Sequence, residues 1–135
     1  MELSGKTIVI TGGGSGIGAA LSRRFAAAEP RQLVIVDSDP MTATTVADET
    51  NGVGLTLDVA DEPAVAAMVR SVERDHGPID LLCMNAGIAT IGDLEVPNAA
   101  WQRTWEVNVM SHVYAVRAAL PAMLERGSGY LLHTA

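Results

Sequence analysis

Thr11-Gly12-Gly13-Gly14-Ser15-Gly16-Ile17-Gly18 is the stretch that decides the fold. It follows a short β-branched run, Thr7 to Ile10, and leads into Ile17, Leu21, Phe25 and Ala28, which recur at helical spacing. A strand, a glycine-rich turn and a helix in that order set a helix N-terminus at a strand end. Such an end offers free backbone N–H groups and the positive pole of a dipole. A diphosphate fits there only where side chains leave room. Gly12 permits the tight turn, Gly16 lets backbone approach the phosphates, and Gly18 lets the helix pack close to the strand. Ser15 and Ile17 belong to the same binding loop. A glycine-rich turn without a ligand is the bland alternative, and the strand-before, helix-after setting weighs against it.

Asp37 lies 19 residues beyond Gly18, at the end of the second apolar run. A dinucleotide fold needs an acid there to accept hydrogen bonds from the adenosine ribose hydroxyls. The same carboxylate repels a 2′-phosphate. Gly13, Gly14, Ser15 and Ser38 could offset that repulsion, and none is basic. NAD is therefore the expected cofactor, with Ser38 beside Asp37 in its site. The competing reading is that Asp37 merely caps the following turn.

The rest of the chain repeats the alternation. Leu33 to Val36, Val53 to Leu57, Ile79 to Met84 and Tyr130 to Thr134 read as strands two to five. Pro30 ends the first helix. Asp39-Pro40 looks like an N-cap with proline at the first helical position, and Asp61-Glu62-Pro63 opens the third helix. A long fourth helix begins at Pro97-Asn98 and stops near Gly127, with Pro121 kinking it. The strands read as continuous apolar runs, as strands buried on both faces should. Right-handed crossovers then give an α/β fold, a doubly wound parallel sheet of the Rossmann type. With no repeat, low-complexity stretch or linker, residues 1–135 read as one NAD-binding domain.

Composition narrows the function. Nine Lys and Arg against sixteen Asp and Glu leave a net charge of −7, and no basic face for nucleic acid or an anionic membrane. No apolar run approaches a bilayer-spanning length, and Met-Glu-Leu-Ser-Gly-Lys is not a signal peptide. Cys83 is the one cysteine and lies in an apolar run, so an inert buried thiol in a reducing compartment, the cytoplasm, is expected. His76, His112 and His133 lack metal-ligand spacing, and no metal is expected. Trp101 and Trp105 share a helix face and read as packing residues.

The spacing Thr-Gly-x-x-x-Gly-x-Gly resembles the nucleotide loop of the short-chain dehydrogenase/reductase family, in its single-domain branch. The resemblance runs the length of the chain. Asp58-Val59 looks like the family's adenine-contacting pair. Asn85-Ala86-Gly87 looks like the signature that stabilises the central sheet and lines the cofactor ribose. Met84 stands where the usual form has Asn, a small departure that loosens one hydrogen bond. Asn108, in Val-Asn-Val, looks like the asparagine of the catalytic tetrad; taken alone it is an ordinary polar residue of a helix. Tyr114 does not match Tyr-x-x-x-Lys and is not assigned catalysis.

The resemblance implies hydride transfer between a nicotinamide and an alcohol or carbonyl carbon. It implies a tyrosine moving the hydroxyl proton, a lysine lowering that tyrosine's pKa and a serine binding the reacting oxygen. Those three belong beyond Ala135, so Asn108 is the one tetrad member within this chain. The expectation is the N-terminal portion of an NAD-dependent oxidoreductase, its sheet cut after the fifth strand, a homo-oligomer when intact, and inactive as 135 residues. The alternative is a non-catalytic NAD-binding module. A sheet cut at its fifth strand leaves an edge and apolar helix faces uncovered, which favours the first. Substrate selection is expected from the Ile88 to Leu94 loop and from segments outside this chain.

Overall fold

The computed structural model describes residues 2–134; Met1 and Ala135, the ends of the expected domain, lie outside them. The strands are β1 (Thr7–Thr11), β2 (Gln32–Asp37), β3 (Val53–Thr56), β4 (Ile79–Met84) and β5 (Tyr130–His133). The helices are α1 (Gly16–Ala26), α2 (Pro40–Thr50), α3 (Glu62–His76), α4 (Asn98–Trp105) and α5 (Ser111–Glu125). A π-helical turn, Glu106–Met110, joins the last two. The strands form one parallel sheet in the order β3-β2-β1-β4-β5. The chain winds outward from β1 to β3, then returns to the other side of β1 as β4. The switch point therefore lies between β1 and β4, where such folds open a crevice at the carboxyl strand ends.

Side chains alternate across the sheet and build two cores. Ile8, Ile10, Leu33, Ile35, Leu81 and Cys83 meet α1 and α2 on one face. Val9, Val34, Val36, Leu82 and Met84 meet α3 and α5 on the other. Each fully buried aliphatic side chain contributes roughly 1.5–3 kcal/mol, so these three central strands dominate the fold's apolar stabilisation. Burial on both faces holds for β1, β2 and β4, but not for the edges. β3 alternates between half-buried and exposed, and β5 is exposed at both ends. An edge strand lacks a neighbour on one side, and the flanking helices do not reach it fully.

The helix starts follow local chemistry. The Asp39 carboxylate accepts from the Met41 N–H at 2.8 Å, and that of Asp61 from the Ala64 N–H at 3.1 Å. Both helices carry proline in the first turn. α1 ends at Ala26, ahead of Pro30, because Glu29 already takes a left-handed φ of 52° and its carbonyl accepts from the Gly5 N–H. The long helix runs through Pro121 to Glu125, and its departure from α geometry falls at the π turn instead. The Trp packing expectation fails. Trp101 is 59 % and Trp105 55 % exposed, because no residue of α4 is buried.

Cys83 is wholly buried, and burial pushes its thiol up to about 12. The reactive thiolate is absent at mildly alkaline pH. The native protein is expected to resist iodoacetamide there and to be alkylated fully once unfolded in guanidinium chloride. Labelling of the folded protein at the unfolded rate, read by mass spectrometry, would contradict this burial.

Candidate functional site

At the switch point the carboxyl ends of the strands enclose a cleft of about 410 Å³, within the range of cofactor pockets. Gly12, Ser15, Gly16, Ile17, Asp37, Ser38, Asp58, Val59, Asn85, Ala86 and Gly87 all line it. Eleven of the twelve residues named for the cofactor thus converge. Gly18 stands behind the wall. Ile88, the first residue of the expected substrate loop, lines the cleft too; Leu57, Arg103, Val107 and Thr134 also line it and were not anticipated.

The glycines act through close approach. Gly12 has φ +64°, and a Cβ there would meet Ala86 Cα at 2.7 Å. A Cβ on Gly18 would strike the Gly12 carbonyl oxygen and come within 2.7 Å of Asn85 Nδ2. Gly16, at φ +49°, has open space around its missing Cβ. The loop is thus tight against the sheet behind and bare toward the cleft. Ser15 sits at the N-cap of α1 without a side-chain cap, and the first turn holds no acid. The leading N–H groups of α1 remain available to an anion, whereas α2 and α3 spend theirs on Asp39 and Asp61. A diphosphate fits this cradle.

Thr11 ties the two sides of the switch point. Its Oγ1 accepts from the Asn85 and Ala86 N–H groups at 3.1 and 3.3 Å, and lies 3.4 Å from the Cys83 carbonyl to which it donates. The Asn85 amide donates to the Gly12 carbonyl at 3.3 Å and accepts from the Thr134 hydroxyl at 3.1 Å. Thr11 was legible only as part of the glycine motif. Met84 is buried in the core, and its carbonyl accepts from the Thr134 N–H.

Asp37 is fixed by backbone. Oδ2 accepts from the Gly14 N–H at 3.0 Å and Oδ1 from the Asp39 N–H at 3.1 Å. A Cβ on Gly14 would lie 2.9 Å from that Oδ2, so Gly14 is a further residue the site needs. Asp58 Oδ1 accepts from Arg103 and from the Ala60 N–H, both at 3.0 Å. Burial, the largest single influence, raises the Asp58 pKa. The Arg103 hydrogen bond, the Ala60 N–H and the guanidinium charge together outweigh it and hold the carboxyl below its ordinary value.

Asn108 does not line the cleft. Its Oδ1 accepts from the Ile88 N–H and its Nδ2 donates to the Ile88 carbonyl, each at 2.8 Å. It sits in the π turn, a feature that recurs at functional sites, and clamps the start of the loop after β4. Within that loop Ile91 and Leu94 are almost fully exposed. Among the described residues no three His, Cys, Asp or Glu side chains gather as metal ligands. Among the described residues no helix is long and apolar enough to cross a membrane.

His76 closes α3, but His112 and His133, far apart in sequence, meet. Their Nδ1 atoms are 2.9 Å apart and the rings stack at 5.1 Å. One ring must donate and the other accept. Burial, then the charge of His133, push the His112 pKa down.

The short chain dehydrogenase family model matches residues 6–135. A short chain dehydrogenase of Pseudocercospora fijiensis is 36% identical over 142 residues, covering 97% of this chain and 45% of its own length. The 1-deoxy-11-beta-hydroxypentalenate dehydrogenase of Streptomyces exfoliatus is 36% identical over 143 residues, covering 100% of this chain and 52% of its own. A crystal structure of a short-chain type dehydrogenase/reductase from Mycobacterium marinum superposes with a TM-score of 0.92 at 29% identity, covering 99% of this chain and 55% of that one. The chain belongs to the short chain dehydrogenase family. It spans about half the length of the curated relatives it matches.

The histidine pair carries a pH signature. A folded-state pKa below the unfolded one means the unfolded chain binds the proton more readily, so stability is full above the ordinary imidazole value of about 6.5 and declines as pH falls through it. Urea midpoints are expected to drop on acidification through that window, and to drop less in His112→Asn. Parallel pH profiles for parent and variant would remove the pair from the account.

Proposed function

We propose that this chain is the N-terminal, cofactor-binding portion of an NAD-dependent oxidoreductase that acts on an alcohol or carbonyl substrate. The observation that carries the reading is Asp37, a carboxylate locked at the cleft by the Gly14 and Asp39 N–H groups. A fixed anion there accepts from ribose hydroxyls and repels a 2′-phosphate. Among the described residues Arg103 is the one cation lining the cleft, and it is engaged with Asp58.

The role of each residue follows from its place. Gly12, Ser15, Gly16 and Ile17 present backbone and the start of α1 to the diphosphate, and Gly18 lets that helix approach. Asp37 and Ser38 take the adenosine ribose, Asp58 and Val59 the adenine. Asn85, Ala86 and Gly87 line the remainder. Bound NAD supplies the hydride acceptor or donor. Asn108 acts within the catalytic group by holding the Ile88 backbone, which fixes the loop expected to choose the substrate. The proton-transferring tyrosine and lysine and the serine belong to segments outside this chain. The relatives' names point to different substrates, so the substrate class stays at alcohol or carbonyl. A homo-oligomer is supported by the exposed Trp101 and Trp105, and a cytoplasmic location by the lone unpaired thiol.

Two measurements test this. In the full-length protein, NADH is expected to bind at least about tenfold tighter than NADPH, a difference of about 1.4 kcal/mol, and Asp37→Ala to level or reverse the order. Tryptophan quenching reads both affinities, and equal affinities in the parent would refute the role of Asp37. The 135-residue piece alone is expected to show no NADH oxidation with carbonyl substrates. Turnover by that piece would mean that the proton-transfer groups lie within it.

A further inference from the structure

Arg103 was not among the residues picked out by the glycine, aspartate or asparagine motifs. It projects from α4, a helix without a buried residue. It nevertheless makes the polar tie between that helix and the loop after β3. Its Nη2 lies 3.0 Å from each carboxylate oxygen of Asp58. Oδ1 carries two hydrogen bonds, from Arg103 and from the Ala60 N–H. A carboxylate oxygen accepts about two hydrogen bonds, so Oδ1 is filled. Oδ2 receives no hydrogen bond among the described residues and lies 3.0 Å from the guanidinium Nη2. The carboxylate is therefore held in one rotation, with Oδ2 the atom that retains accepting capacity.

Both side chains line the cleft and both are about half exposed, 47% for Arg103 and 48% for Asp58. An exposed pair of this kind adds little to stability. Its consequence is orientation. A lone exposed aspartate samples several rotations, and one clamped from two sides offers a single acceptor direction. Arginine's planar fork suits that task better than a lysine's point charge.

We propose that Arg103 is a positioning residue of the cofactor site, turning Asp58 Oδ2 toward an incoming exocyclic amino group and so making the cleft selective for adenine over a 6-oxo purine. The proposal rests on the dinucleotide reading of the cleft. A 6-oxo purine such as hypoxanthine presents a carbonyl where adenine presents an N–H donor, and a fixed carboxylate acceptor rejects it.

The test uses the full-length protein and three probes: NADH, its hypoxanthine counterpart deamino-NADH, and reduced nicotinamide mononucleotide, which lacks the adenosine half. The parent is expected to bind NADH about tenfold tighter than deamino-NADH, the size of one directed hydrogen bond to a charged group. Arg103→Ala is expected to weaken NADH and to shrink that ratio toward one, with the mononucleotide unchanged. Arg103→Lys is expected to fall between the two. An alanine variant that keeps the full ratio overturns the proposal and leaves the dinucleotide site standing. A variant that weakens all three probes equally overturns it as well, because that is a general loss of the cleft. A parent that binds neither NADH nor the mononucleotide removes the cofactor reading, and this proposal with it.

Discussion

The hydroxyl of Thr11 is where the two halves of the sheet are joined at the end that matters. The chain leaves β1 for one side of the sheet and comes back on the other as β4, so the two strands part at their carboxyl ends. Something must satisfy the backbone there. Thr11 Oγ1 takes the Asn85 and Ala86 N–H groups, and the Asn85 amide reaches across to Gly12. A hydrogen bond of this kind contributes about 0.5–1.5 kcal/mol net, so the two half-buried bonds together match or exceed an exposed ion pair on this surface. The same bonds hold Ala86 against Gly12 so closely that no side chain is tolerated at position 12. The cleft's floor is thus a by-product of closing the switch point.

That dependence explains which features were legible in the sequence. Covalent and local rules were readable. The caps at Asp39 and Asp61, the buried runs of β1, β2 and β4, and the close approaches at Gly12 and Gly18 follow from residue type and spacing. Eleven expected cofactor residues line one cleft because they sit at strand ends, and strand ends of a parallel sheet converge. Features that depend on partners distant in sequence were not readable. Arg103 meets Asp58 across 45 positions, and His112 meets His133 across 21. The role of Gly14 required knowing that Asp37 folds back onto its N–H. The half-exposed edges β3 and β5 show the limit of hydrophobic pattern, since an apolar run states what can be buried and not what covers it.

α4 illustrates the same limit from the other side. Its two tryptophans share a face, as helical spacing requires, yet both are more than half exposed. Amphipathicity identifies a face for burial without naming the surface it meets. Within this chain α4 is held by polar ties instead. Arg103 reaches Asp58, and Thr90 bonds to the Ala100 carbonyl and to Thr104. The π turn then resets the helix before α5, whose small residues Ala115 and Ala119 let it lie flat on the sheet core.

Electrostatics set the final constraint. A chain of net charge −7, with Asp37 and Asp58 at the cleft, repels an anionic ligand at long range. Arg103, the single lining cation among the described residues, is compensated by Asp58. On the proposed reading, attraction for a diphosphate must therefore come from short-range, directed groups rather than from net field. The uncapped start of α1 supplies them, since a helix N-terminus carries roughly half a positive charge together with oriented N–H donors. The absence of a capping side chain at Ser15 is then a requirement of the site. An aspartate there, a good N-cap by propensity, would stabilise α1 by satisfying the same N–H groups and would place a third carboxylate against the ligand. The sequence has serine and bare glycine at that end, and keeps its aspartate caps for α2 and α3.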